Sequence, residues 1–220
     1  MKMRILTGVT LLILTGASVF GRVKRQSYTD ICSEENYLDQ LYIAELESPL
    51  VADSCSTLEQ ELPDVPIILR VSTAGEYENL FNTGRQKVEI EEVYSGNSLK
   101  KGDEIYLTSG TWRIVVDLQP PAIERGFVNI LKEGKEYLVF VTEKVRTDSE
   151  SLPVCRLYSN SIIDPVFCYE DMENVIVPLG EGPTYVPYAQ VKDNEFFAGD
   201  EEGLAAWTEL KQKMLSAYPR

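Results

Sequence analysis

The sequence of 220 residues contains no histidine. That absence removes the commonest general base at neutral pH and the commonest zinc ligand together. Carboxylates, serines and lysines are left to do any chemistry. Basic residues are also scarce: 21 Lys and Arg stand against 35 Asp and Glu, a net charge of −14. Five of the basic residues, Lys2, Arg4, Arg22, Lys24 and Arg25, precede residue 26, leaving 16 against 35 in the rest. Such a body repels phosphate backbones and anionic lipid, which excludes nucleic acid as a partner. There is no Asn-x-Ser/Thr sequon, no Gly-rich phosphate loop and no G-x-S-x-G elbow.

The fragments of motif that are present also have bland readings. Ser98-Leu99-Lys100-Lys101 matches S-x-x-K in form, but that motif must open a helix beside S-D-N and K-T-G companions, and here it lies in a hairpin loop without them. Asp193, Glu195, Asp200, Glu201 and Glu202 form an acidic cluster that fails the calcium-loop spacing. The cluster reads as the solvated start of a helix. Glu89, Glu91 and Glu92 read as strand carboxylates facing water. The sequence therefore predicts no catalytic residue, no metal site and no cofactor, and a protein that is not an enzyme.

One long apolar run is present. Ile5 to Phe20 carries no charge and follows Lys2 and Arg4, the pattern of a signal peptide or signal anchor over residues 1–25, although it is short for a spanning helix. Thr15-Gly16-Ala17 and Val19-Phe20-Gly21 are both passable cleavage sites, and Arg22 to Arg25 reads as a dibasic processing site. Membrane contact is expected only through this segment. The four cysteines fall as two local pairs, Cys32 with Cys55 and Cys155 with Cys168. In an exported chain that spacing predicts two structural disulfides.

The apolar fraction of 44% supports a real core. Residues 26–63 read as an N-terminal extension with a short helix over Glu34–Glu47, capped by Ser33 and apolar at Tyr37, Leu38, Leu41 and Tyr42. Residues 64–190 read as strands and turns. IILRVST is a strand, Gly75 to Gln86 a polar loop, and VEIEEVYS a strand whose alternation slips by one residue, the sign of a bulge. Turns are expected at Ser95–Asn97, Lys101–Asp103 and Gly134. TWRIVVDLQ is a further strand, residues 122–132 a helical turn or two, and Tyr137 to Thr142 a strand buried on both faces. PVCRLYS and PVFCYED form a candidate hairpin that sets Cys155 opposite Cys168, and NVIVPLG adds a strand. Residues 191–220 end in an amphipathic helix capped by Asp200, with Leu204, Trp207, Leu210, Met214 and Tyr218 on one face.

The fold class is thus mainly β, a small closed β-barrel with an N-terminal extension and a C-terminal helix packed on it. The segments IILRVST, VEIEEVYSGN, KKGDEIYL and LKEGKEYLVFV resemble the OB barrel of netrin-like domains and tissue inhibitors of metalloproteinases over residues 67–142, and this resemblance implies an OB-like closed β-barrel. Exported bacterial proteins with the same turn pattern look similar. Those inhibitors chelate the protease zinc through an N-terminal cysteine. Here Cys32 lies inside the chain and no Cys-x-Cys start exists, so the resemblance implies the fold and not the inhibition.

The expected function is a non-catalytic binding module, secreted or anchored at the cell surface, that engages a protein or glycan. Tyr77, Phe81 and Tyr94 are the candidate contact residues, on the loops beside one barrel face. Two alternatives are an inhibitor or accessory subunit of a surface hydrolase and a structural envelope protein without a discrete ligand.

Overall fold

The computed structural model describes residues 37–44, 48–80, 83–115, 121–123, 130–147, 150–160, 162–177 and 185–220. The apolar run at Ile5–Phe20, the basic residues after it, Cys32 and Phe81 lie outside these. The chain divides into two units, residues 1–37 and residues 38–220, and the sheets and helices described belong to the second. Among the described residues no helix is long and apolar enough to cross a membrane.

The protein is mainly β. Its principal strands are β2 (Ile67–Leu80), β3 (Thr83–Ser95), β4 (Glu104–Ser109), β7 (Glu136–Val145), β8 (Val154–Leu157) and β9 (Val166–Cys168). They form one sheet in the order β2-β3-β4-β8-β7-β9, and β2 also pairs with β7. The ladders therefore run in a ring from β2 through β3, β4, β8 and β7 back to β2. Every pairing in the ring is antiparallel except β4 with β8. Two smaller sheets accompany it. One joins β1 (Tyr42–Ala44), β5 (Ile114–Val115), β6 (Ala122–Ile123) and β11 (Tyr185–Pro187); the other joins β10 (Val175–Ile176) and β12 (Phe197–Ala198).

The strand β7 forms where the sequence is most continuously apolar, and Tyr137 through Val141 are all buried. A run without alternation must be covered on both faces. The core around it includes Ile68, Leu69, Val71, Ile90, Ile105 and Leu107. The slip in VEIEEVY is a pair of bulges. Val71 faces Ile90 while Arg70 faces Glu92, leaving Glu91 unopposed; Leu69 faces Val93 while Ile68 faces Ser95, leaving Tyr94 unopposed. Gly102 sits at φ +83° in the β3–β4 turn, a left-handed conformation that glycine adopts without a Cβ penalty.

Several expected elements differ. The Gly75–Gln86 loop is instead the extended end of a hairpin, because β2 continues to Leu80 and β3 begins at Thr83. Gly84 makes this compatible with the aromatic above it, since a Cβ there would collide with the Tyr77 ring. The helix expected over Glu34–Glu47 is displaced: Tyr42–Ala44 is strand β1, and the helix runs from Ser48 to Glu61. Its buried residues Val51, Ser54, Cys55 and Leu58 recur at helical spacing, and Leu62 continues the period in the 3-10 turn that follows. The strand expected at residues 111–119 is described only as Ile114–Val115, and Ala122–Ile123 is strand rather than helix.

The C-terminal helix spans Glu201–Ala217, and Asp200 accepts a 3.0 Å hydrogen bond from the Gly203 amide. It packs against the Ser48–Glu61 helix. It also inserts Trp207 between the rings of Phe196, stacked at 4.5 Å, and Phe167, at 4.9 Å.

The expected Cys155–Cys168 disulfide is not formed, and the hairpin that would have made it is absent. Both β8 and β9 pair with the same edge of β7, in the same direction. Cys155 faces Lys144 and Cys168 faces Tyr137. Seven residues of extended strand separate those positions, about 23 Å at 3.3 Å per residue, far beyond disulfide reach. The chain leaves that edge after Leu157 and returns to it at Val166. Cys55, Cys155 and Cys168 are buried free thiols, and no disulfide joins the described residues. Burial pushes them up, to about 12, 11 and 12 in that order, which makes them inert. In denaturant without reductant, Cys155 and Cys168 should both be fully alkylated in a peptide map; a disulfide-linked pair of peptides containing them would contradict this strand order.

Candidate functional site

Among the described residues, three clusters of polar side chains are candidates for a site. The first lies inside the excursion between β8 and β9. Asp164 is fully buried and accepts a hydrogen bond from the Thr111 hydroxyl. The Thr111 and Ser109 hydroxyls are 2.9 Å apart. Asn160 ties the excursion by accepting from the amides of Ile162 and Ile163, at 3.1 and 2.9 Å. Burial pushes the Asp164 carboxyl up from 3.8 to about 6, against the opposing hydrogen bonds of Ser109, Thr111 and Ser159. An acid beside three hydroxyls has the composition of a catalytic group, but no substrate reaches a side chain with no exposed surface. Its work is to fasten the excursion to the Ser109–Trp112 turn.

The second is the pair Glu195 and Lys211. The Glu195 side chain is 1% exposed and that of Lys211 16%, with 2.5 Å between Nζ and Oε2. The other carboxylate oxygen accepts from the Cys168 amide at 2.6 Å. Burial raises the Glu195 carboxyl, while Lys211 and the amide oppose that rise. The cluster expected to be a solvated helix start is therefore split. Glu201 and Glu202 face water, and Glu195 locks the C-terminal helix to β9. Among the described residues no group of three or more acidic or sulfur ligands could hold a metal. Ser98 to Lys101 lie in the turn region between β3 and β4, not on a helix.

The third place is open to solvent and is the candidate site. The bulge at Tyr94 meets the residues that follow β9, Tyr169 and Glu170, and the start of β7 at Glu136. Residues Tyr218, Pro219 and Arg220 lie against this surface. The Tyr218 ring packs 5.4 Å from Tyr94 and edge-on to Phe140 at 5.9 Å. The Tyr169 hydroxyl donates to the Tyr218 carbonyl at 2.7 Å, and the Tyr94 hydroxyl donates to the Pro219 carbonyl. The Arg220 guanidinium reaches Glu136, 3.1 Å from Nε, and also pairs with Glu170. Arg70 approaches the same Glu136 oxygen from the sheet at 2.7 Å.

The electrostatics follow from these contacts. The hydrogen bond from Arg220 holds the Glu136 carboxyl below its ordinary value against burial, and Arg70 adds to this. Burial would raise Glu170, but hydrogen bonds from Cys168, the Glu136 amide and Arg220 outweigh it and hold it low. Burial pushes the Tyr169 phenol up, so it stays a neutral donor. The two tyrosine hydroxyls also lie 3.0 Å from each other. Two protons serve three contacts, so with the carbonyls removed one hydroxyl can donate to the other.

Of the residues expected to make contacts, only Tyr94 belongs to this surface. Tyr77 is buried, with its hydroxyl donating to the Trp112 carbonyl at 2.5 Å, and it supports the Ser109–Trp112 turn. Phe81 lies outside the described residues. Arg70, Glu136, Tyr169 and Glu170 carry no signal in the sequence, because two separate strands, β2 and β7, and the segment after β9 bring them together.

The Asp164 environment predicts a pH dependence. The folded state holds the proton more tightly than the unfolded chain, so this group's contribution is fullest below about pH 4 and is lost as pH rises through about 6. The loss approaches about 3 kcal/mol by neutral pH. Urea unfolding of the protein and of Asp164→Asn, compared at pH 4 and 8, should show the protein losing on the order of 3 kcal/mol relative to the variant. A pH-independent difference would rule out the buried, proton-binding carboxyl. Compared with known families and curated proteins, the chain matches no family model and no curated relative.

Proposed function

We propose that the protein is an exported, OB-like closed β-barrel that acts as a non-catalytic binding module at the cell surface. The ring of ladders from β2 round to β7 supports barrel closure. Export rests on the apolar run Ile5–Phe20 behind Lys2 and Arg4. Both deeply buried carboxylates among the described residues, Asp164 and Glu195, are engaged in fastening loops and helices. That favours binding over catalysis.

The observation that carries the reading is the surface made by Tyr94, Tyr169, Glu136 and Glu170. It grips a polypeptide segment by two backbone carbonyls, one aromatic ring and one guanidinium. Hydroxyls aimed at carbonyls, with a carboxylate pair beside them, favour a protein over a glycan as the partner.

A photo-crosslinking residue placed at Tyr94 in the native host tests this. It should capture a discrete partner from the cell surface, whereas the same residue at Lys101, exposed on the β3–β4 turn, should not. Equal capture at both positions, or none at either, would count against a binding module centred on this face.

A further inference from the structure

We infer that the Tyr94–Tyr169–Glu136–Glu170 surface is a recognition site for peptide segments of the type aromatic-Pro-Arg. Residues Tyr218–Arg220 fill it in cis, so a partner segment must displace them. The inference rests on the binding-module reading and names the ligand of that module.

Each part of the segment meets a complementary feature. The aromatic ring enters the angle between Tyr94 and Phe140. The carbonyls of two successive residues, Tyr218 and Pro219, each accept from a tyrosine hydroxyl. Proline offers no amide hydrogen and holds the backbone semi-extended. That suits a segment read through its carbonyls. The arginine fork spans two carboxylates, one on β7 and one just after β9, the geometry in which arginine outperforms lysine.

The receiving groups are also held by contacts that do not involve the segment. Arg70 pairs with Glu136 at 2.7 Å and reaches Glu92 at 3.8 Å. The Glu136 amide donates to Glu170 Oε2 at 3.2 Å. The Tyr169 amide donates to the Glu136 carbonyl at 3.0 Å, and the two tyrosine hydroxyls can bond each other. A site whose side chains are held by one another loses little ordering entropy when a ligand arrives. By contrast, Pro219 and Arg220 are exposed and lie beyond the helix that ends at Ala217. Releasing those two exposes little of the core, and releasing the half-buried Tyr218 uncovers the face of Phe140 that a partner's aromatic ring then covers. An intramolecular segment competes at the high effective concentration that a short connection gives.

The test is fluorescence anisotropy with labelled Ser-Ala-Tyr-Pro-Arg peptide. Three proteins are compared: the full chain, a variant ending at Ala217, and a full-length Tyr218→Ala/Arg220→Ala variant that keeps chain length should the shortened one fold poorly. The peptide should bind either variant at least tenfold more tightly than the full chain. Replacing its arginine by alanine, or adding Glu136→Gln and Glu170→Gln to the receiving protein, should weaken binding at least tenfold.

No binding to either folded variant at millimolar peptide overturns the inference, as does equal binding of the alanine peptide. These outcomes separate from failure of the underlying reading. Peptide binding without surface capture at Tyr94 supports the site while removing its cell-surface role. Capture at Tyr94 without peptide binding leaves a binding module and overturns the ligand assigned here.

Discussion

Burial of β7 on both faces is the constraint on which the other packing of the molecule depends. Five consecutive residues, Tyr137 to Val141, lose their water, and a strand with no solvent face needs neighbours on every side. One edge takes β2, from Ile67 to Ser72; the other takes β9 and then β8. Because β2 also begins the hairpin that leads through β3 and β4 to β8, satisfying both edges of β7 returns the ladder to its start. Phe140 and Phe167 meet edge-on at 6.2 Å, and Phe167 in turn meets Trp207. The aromatic contacts thus run from the central strand to the C-terminal helix.

The polar groups caught in this arrangement show what the packing costs. Glu195 and Lys211 sit where the helix crosses β9, and burial disfavours the Glu195 charge while the pairing with Lys211 opposes that. Together with the Cys168 amide they form a closed set that fixes the helix in register with the strand. Asp164 serves the excursion between β8 and β9 in the same way. The helix position in turn places Tyr218, Pro219 and Arg220 on the sheet, so the candidate site depends on the same packing.

Much of this is legible in the sequence where a local signal coincides with a local cause. The buried β7, the glycine turns at Gly96, Gly102 and Gly134, the slip in VEIEEVY and the Asp200 cap each declare themselves within a few residues. The failures share a different cause. Ser159 to Asp164 carries turn chemistry, and turn chemistry cannot distinguish a hairpin from a loop that leaves a strand edge and rejoins it. The pairing of Cys155 with Cys168 fails for that reason. Gly75 to Asn79 and Gly84 to Gln86 are strand in which buried and less buried residues alternate, so their polar character does not mean that they lack strand structure. The Ser48–Glu61 helix is obscured although Val51, Cys55 and Leu58 repeat at its period, since Ser48 and Pro49 suggest a break where they mark a helix start. No local pattern announces the candidate site, whose members come from β2, β3, β7 and the segment after β9.

The most direct test of the ring is hydrogen–deuterium exchange resolved to single amides. If β7 is the shared strand, amides of both its edges, including those in the β2 ladder from Ile67 to Ser72, should exchange only through global unfolding and with equal protection. An exposed β2–β7 edge exchanging orders of magnitude faster than the β7–β8 and β7–β9 pairs would mean that the ladders do not close, and the organisation around β7 would have to be abandoned.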